Sequence, residues 1–388
     1  MAIDDFATRE LARRRDAGLM RRLRQIDGPQ DTWVNVDGRR ALLLCSNNYL
    51  GLANHPAVQE AARRAATEYG VGAGASRLIS GSMQLHHALE ARLAALKGTE
   101  AALLFTSGYH ANIGAITALV GEGDAVFSDE LNHASIIDGC RLSRARVYVY
   151  AHNDTTALEA QLSRSTARRR LVVTESIFSM DGDTAPLRAL CEVAERYDAM
   201  VMVDEAHATG AVGPGGAGVV EAEGLQSRVT VQMGTLGKAL GTFGAFIAAR
   251  RAVIDLLINT ARSFIFTTAL PPPVVGAALA ALDIVATDAG RRWRLAENAA
   301  VLRHGLAAHG IPCRAGGTHI VPVLIGDAER TMRMSEQLLA EGVFVQGIRP
   351  PTVPPDTARL RVTVMSTHSR NDLQHAVDAF RRVFTAEG

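Results

Sequence analysis

The sequence predicts an α/β protein: a large domain with a mostly parallel sheet between helices, followed by a smaller α+β domain at the C-terminus. Three observations carry that prediction. From about residue 50 to residue 250, short and nearly continuous apolar runs alternate with segments of helical period, the pattern of strands covered on both faces. Pro271-Pro272-Pro273 then interrupts the chain, removing three backbone donors. Beyond about residue 310 the order changes to strand, helix, two strands and helix. A chain of 388 residues accommodates roughly two to three domains. The expected boundaries are 1–45 for an N-terminal helical arm and hairpin, 46–285 for the large domain and 286–388 for the small one.

Taken in order, residues 1 to about 27 read as a basic helical arm, crowded by Arg13, Arg14, Arg15, Arg21, Arg22 and Arg24, with Leu19, Leu23 and Ile26 on one face. Residues 32–45 read as a hairpin, because Trp33-Val34-Asn35-Val36 and Ala41 to Leu44 flank an Asp37-Gly38 turn. Strands follow at Ala101–Phe105, Ala125–Phe127, Arg146–Tyr150, Leu171–Thr174, Met200–Val203, Val229–Met233 and Phe243–Ala248. The helical patterns between them include Leu85–Leu96, Ala111–Val120, Thr156–Leu162 and Leu187–Tyr197. Phe264 to Leu282 is long enough to span a membrane and uncharged, but its prolines make it a connection into a helix that runs from Val274 to about 310. The tail reads as strand 319–325, helix 329–341, strands 343–347 and 359–364, and helix 371–384.

Composition narrows the function. With 41 basic against 40 acidic residues the net charge is +1, which argues against nucleic-acid or anionic-membrane binding. Cys45, Cys140, Cys191 and Cys313 form no CxxC pair, so neither a disulfide framework nor a cysteine metal site is expected, and a cytoplasmic setting fits. Only two of the 41 basic residues are lysine, Lys97 and Lys238. Arginine can neither deprotonate nor bond covalently to an aldehyde, and lysine can do both. Lys97 closes the amphipathic run before Gly98, where a cation offsets the helix dipole. Lys238 lies in Gly234-Thr235-Leu236-Gly237-Lys238-Ala239-Leu240-Gly241, where nothing structural asks for it.

In open parallel sheets ligands bind beyond the carboxyl ends of the strands. Thr106-Ser107-Gly108-Tyr109 opens a helix after one strand, a phosphate-type turn. Another strand leads to Asn132-His133, whose imidazole can stack on a ring. A third leads to Ser179 among the acids of Glu175 to Asp183, and a fourth to Asp204-Glu205-Ala206-His207. A fifth leads to Thr235 and Lys238. An aldehyde-bearing pyridinium phosphate needs this set: a lysine for its aldehyde, a carboxylate for its ring nitrogen, and hydroxyls with a helix N-terminus for its phosphate. Gly213-Pro214-Gly215-Gly216-Ala217-Gly218 fits GxGxxG, but without a framing βαβ unit and with an internal proline it is discarded.

Over nearly its whole length the chain resembles the α-oxoamine synthases, pyridoxal-phosphate enzymes of fold-type I. The resemblance rests on Ser46-Asn47-Asn48-Tyr49-Leu50-Gly51-Leu52, Ser80-Gly81, Ser107-Gly108-Tyr109, Asn132-His133-Ala134-Ser135, Phe178-Ser179-Met180-Asp181-Gly182, Asp204-Glu205-Ala206-His207, Thr235-Leu236-Gly237-Lys238 and Arg349-Pro350-Pro351-Thr352-Val353-Pro354. It implies pyridoxal 5′-phosphate bound covalently to Lys238, with Asp204 on the ring nitrogen and His133 stacked on the ring. It places Ser179 and His207 at the phenolic oxygen, and Gly108, Tyr109 and Thr235 at the phosphate, joined by Thr268 of a second subunit of a homodimer. Arg361 is implied as anchor of the amino-acid carboxylate, Asn47 as a contact of the acyl carbonyl and Arg21 of the acyl substrate, with Arg349 and Thr352 also at the substrate. The Arg349–Pro354 and Phe264–Pro272 stretches point to L-alanine and a pimeloyl thioester, of coenzyme A or of a carrier protein. Asn132–Gly139 and Gly234–Gly241 suit equally a family member that joins glycine to acetyl-CoA. A catalytically silent regulator or partner protein on the same fold is the alternative of another class, and the retained Lys238 argues against it.

Overall fold

The computed structural model describes residues 3–314 and 317–387. Its centre is a seven-stranded sheet in the order Ala101–Phe105, Ala245–Ala249, Val231–Thr235, Met200–Asp204, Arg170–Glu175, Ala125–Asp129 and Arg146–Tyr150. Ala245–Ala249 runs antiparallel to both of its neighbours, and the other pairings are parallel. Alternate side chains serve opposite faces. Val126, Val173 and Met202 pack with helices Gly108–Leu119 and Arg251–Thr260, whereas Phe127, Val172 and Val203 pack against Thr155–Leu162 and Leu187–Arg196. Continuous apolar strands were the right signal for a sheet covered on both sides. Only the edge strand Arg146–Tyr150 is largely exposed.

A three-stranded antiparallel sheet, Ile320–Gly326, Ala358–Thr363 and Gln346–Ile348, forms the C-terminal part with helices Ala328–Ala340 and Arg370–Glu387. The hairpin Trp33–Val36 and Arg39–Leu43 turns through Asp37 and Gly38, both at positive φ. It is tied to that part, because Val343–Phe344 adds to it as a parallel strand.

Four expectations need correction. The N-terminal helix covers only Ile3–Asp16 and buries none of its residues. Gly18 at φ +67° ends it, so Leu19, Leu23 and Ile26 share no helical face. The helix expected from Val274 to about 310 is two helices, Pro272–Thr287 and Gly290–Ala308, bent by 77°. Strand 343–347 divides at Val345, its halves pairing in different sheets. Lys97 closes helix Gln84–Lys97 before the Gly98 cap as expected, but a cation at a helix end is only half of its role, because its side chain is fully buried. Helices Pro56–Tyr69, Ala134–Ser143 and Arg251–Thr260 were not singled out from the sequence. Among the described residues no single helix is long and apolar enough to cross a membrane.

Candidate active site

Phe105, Asp129, Glu175, Asp204 and Thr235 end their strands on one edge of the central sheet. The loops that follow converge there. Asp204 is buried. Its Oδ2 accepts from Asn112 Nδ2 at 2.8 Å and its Oδ1 from the Ala206 amide at 2.8 Å. Asn112 also donates to Ser135 Oγ at 2.9 Å, and Ser135 Oγ lies 2.8 Å from Nδ1 of His133. One asparagine thus ties the carboxylate to the histidine that caps helix Ala134–Ser143.

Lys238 follows strand Val231–Thr235, and its Nζ lies 2.8 Å from His207 Nε2. The loop is braced by Thr235, whose hydroxyl donates to the Gly244 carbonyl at 3.0 Å and accepts from the Gly237 amide at 3.2 Å. Gly241 closes it at φ +64°, where a Cβ would meet the Ala53 nitrogen at 2.3 Å. Burial lowers the Lys238 pKa to about 8, against the opposing charges of Asp204 and Glu175. Burial, then the Lys238 charge, holds His207 well below the usual histidine range. Burial also lowers His133, with Asp204 opposing and Lys238 adding.

Glu175 is a participant that the sequence reading did not single out. It is buried, its Oε1 has no partner among the described residues, and burial and then Asp204 raise its pKa to about 8. Asn112 and Tyr49 were missed as well. Tyr49 stands in a quoted motif, but the burial that makes it matter comes from tertiary packing.

Ser107 caps helix Gly108–Leu119, accepting from the His110 amide at 3.2 Å. The first amides of that helix, Gly108 and Tyr109, have no intrahelical acceptor and carry the positive end of the dipole. A Cβ at Gly108 would meet Met233 Cε at 3.2 Å. The Tyr109 hydroxyl donates to Asp138. Arg361, on strand Ala358–Thr363, donates to the Ser179 carbonyl at 2.5 Å and to Asn47 Oδ1 at 3.3 Å.

The other candidates lie elsewhere. Arg21, Arg349 and Thr352 line a separate cavity of about 980 Å³ with Leu19, Phe344 and Ile348. Arg349 donates there to the Met20 carbonyl at 2.6 Å. Thr268 forms a β-bridge with Ser76 and lines a small pocket with Phe105 and Thr106.

The residues at the sheet edge fit pyridoxal 5′-phosphate. A primary amine with a depressed pKa suits its aldehyde. A buried carboxylate fixed by two donors suits a protonated ring nitrogen, and the helix start at Gly108 suits the phosphate. The unpartnered Glu175 oxygen leaves a further polar atom in the same cluster.

The aminotransferase class I and II family matches residues 39–380. The chain is 55% identical over 377 residues to the 8-amino-7-oxononanoate synthase of Geobacter sulfurreducens, covering 96% of each chain. It is 56% identical over 371 residues to that of Geobacter metallireducens, covering 95% of each. Among solved structures, a lysine-to-alanine variant of serine palmitoyltransferase from S. paucimobilis with a bound PLP–myriocin aldimine superposes with a TM-score of 0.93 at 34% identity, over 98% of this chain and 97% of that one. The 8-amino-7-oxononanoate synthase of Francisella tularensis gives 0.76 at 26% identity, over 89% and 98%.

Proposed function

The chain belongs to the aminotransferase class I and II family, and we propose that it catalyses the decarboxylative condensation of L-alanine with a pimeloyl thioester. The products are 8-amino-7-oxononanoate, carbon dioxide and the free thiol, a step of biotin biosynthesis. The observation that carries this reading is the contact between Lys238 and the buried His207, beside the buried Asp204, in a chain more than half identical to synthases of that name.

Pyridoxal 5′-phosphate, held covalently by Lys238, supplies an electron sink for negative charge at the alanine Cα. Asp204 would hold the ring nitrogen protonated, and Asn112 holds Asp204. His133 would pack on the ring. Ser179 and His207 would serve the phenolic oxygen, while Gly108, Tyr109 and Thr235 would serve the phosphate. Arg361 takes the alanine carboxylate, since a guanidinium has donors beyond the two bonds it makes here. Lys238, with its pKa near 8, moves the Cα proton close to neutral pH. Asn47 meets the acyl carbonyl. Arg21, Arg349 and Thr352 bind the thioester in the 980 Å³ cavity, whose arginines suit the phosphates of coenzyme A or of a carrier-protein arm. Residues 46–285 form the cofactor-binding domain, and 286–388 the domain that supplies Arg361. The chain works as a homodimer, its partner contributing Thr268 at the phosphate. A cytoplasmic location accords with four free thiols.

The test is the visible spectrum of the purified protein, titrated with L-alanine and with glycine, followed by mass spectrometry of the product with pimeloyl-CoA. A yellow protein that responds to alanine at lower concentration than to glycine and yields 8-amino-7-oxononanoate is expected. Preference for glycine with acetyl-CoA would reassign the substrates. A protein that stays colourless with added cofactor would remove the cofactor assignment.

A further inference from the structure

Tyr49 is fully buried and has no place in the chemistry above. Its hydroxyl lies 2.6 Å from His207 Nδ1 and 3.0 Å from Asn47 Oδ1. Its ring packs with a centroid distance of 4.0 Å against His319, which holds it in place. The hydroxyl has one proton and two neighbours that could take it.

Donor bookkeeping decides where that proton goes. Arg361 approaches the same Asn47 atom at 3.3 Å, and a guanidinium only donates. The atom is therefore the amide oxygen, which only accepts, so Tyr49 donates to it. The phenol oxygen then meets His207 Nδ1 as an acceptor, and Nδ1 must carry hydrogen. Burial keeps the imidazole neutral, so Nε2 is bare. It faces Lys238 Nζ at 2.8 Å, a group with hydrogens to donate. Every link runs one way, from Lys238 through His207 and Tyr49 to the Asn47 oxygen, and each uses one proton.

We propose that Tyr49 is a positioning residue that fixes His207 as its Nδ1–H tautomer and so presents the bare Nε2 to the Lys238 amine. The proposal rests on the role given to Lys238 above. It makes His207 an acceptor for a lysine hydrogen whenever Nζ is free of cofactor, and it orients Nζ for proton transfer. It also couples the lysine to Arg361 through Asn47. A ligand carboxylate that draws Arg361 from Asn47 would weaken the far end of the same chain.

The test reads the tautomer directly. In the cofactor-free, full-length chain with ¹⁵N-labelled histidine rings, long-range ¹H–¹⁵N spectra should show His207 protonated at Nδ1 and bare at Nε2, assigned by the signals lost in His207→Gln. In Tyr49→Phe the Nδ1–H form should lose its dominance. In the loaded enzyme the same variant should lower kcat roughly tenfold to a hundredfold, the scale of a misplaced reacting group, with KM for alanine nearly unchanged and the pH–rate limb of Lys238 displaced. A wild-type His207 carrying its proton on Nε2 overturns the proposal, as does a Tyr49→Phe chain with unaltered tautomer and pH profile. If that variant does not fold, the wild-type spectrum alone decides. A colourless loaded protein would defeat the cofactor assignment and leave the tautomer result standing.

Discussion

The Lys97 ammonium has three hydrogens and finds three acceptors: Glu205 Oε2 at 2.6 Å, Thr209 Oγ1 at 3.0 Å and the Ala217 carbonyl at 2.5 Å. The other Glu205 oxygen accepts from the Val220 amide at 3.0 Å. A buried pair so completely satisfied is stable mainly because breaking it strands a charge. Here it secures the backbone next to Asp204. Lys97→Ala should therefore cost about 3–5 kcal/mol of unfolding free energy, measured by denaturant titration. Replacing both partners, Lys97→Met with Glu205→Gln, should recover much of the loss. A Lys97→Ala chain as stable as the parent would show that Glu205 finds another partner. The two lysines drew attention by their rarity, and Lys97 reads as a cation at a helix end. What the sequence could not convey was that Lys97 points inward, because position at a helix end is local and burial is not. Glu175, read only as one of several acids after its strand, was not singled out for the same reason: its carboxyl is raised once folding buries it and sets Asp204 beside it, with Lys238 opposing.

Elements were legible where their periodicity was continuous. The strand Arg146–Tyr150 and the run Ala101–Phe105 stand where the apolar pattern placed them. The break at Asp288 and the division at Val345 were not legible, since both depend on which neighbour each half packs against. The loops at the strand ends show how elements are held in register. His152, after Arg146–Tyr150, joins the Asp129 strand end at 3.0 Å to Asp183 in the Ser179 loop at 2.8 Å. Burial opposes its charge, but the hydrogen bonds of Asp129 and Asp183 outweigh that and raise its pKa to about 10. A histidine raised in the folded state contributes stability that is full below its unfolded pKa, ~6.5, and is lost as pH climbs toward about 10. Asp183 is lowered, with burial opposing and His152 prevailing, so its share is lost as pH falls below the ordinary carboxylate range. His152→Gln should thus be less stable than the parent below about pH 6.5, with the gap narrowing under alkaline conditions. Unfolding curves across that range would show it, and a gap independent of pH would mean that charge is not what His152 supplies.

At the scale of the whole molecule, uncovered apolar side chains occur at several places, Leu23 and Trp293 among them, and one group of them lies on neighbouring loops. Val71 and Ile79 are each 80% exposed and Phe266 is 70% exposed. Ser76 bridges Thr268, and the Ala269 amide bonds to the Ala75 carbonyl, so these loops form one surface. Exposed apolar side chains in one region mark a contact surface, and the proposed homodimer would use this one. Thr268 lies on that surface and also lines a small pocket with Thr106, at the strand end before Ser107, so service to its own phosphate site and to the partner's are the two cases to separate. Two inactive variants separate the possibilities. Lys238→Ala removes the amine, and Thr268→Ala weakens the hold on the cofactor. Mixed after partial denaturation, the two chains form heterodimers. If Thr268 acts across the interface, each heterodimer has one site with an intact Lys238 and an intact Thr268, and activity returns on mixing. If Thr268 acts within its own chain, both sites stay defective and no activity returns. Ile79→Asp or Phe266→Arg should prevent the recovery by holding the chains apart, and sedimentation velocity would show monomers. Recovery that survives those substitutions, with dimers still in the centrifuge, would move the shared site away from this surface.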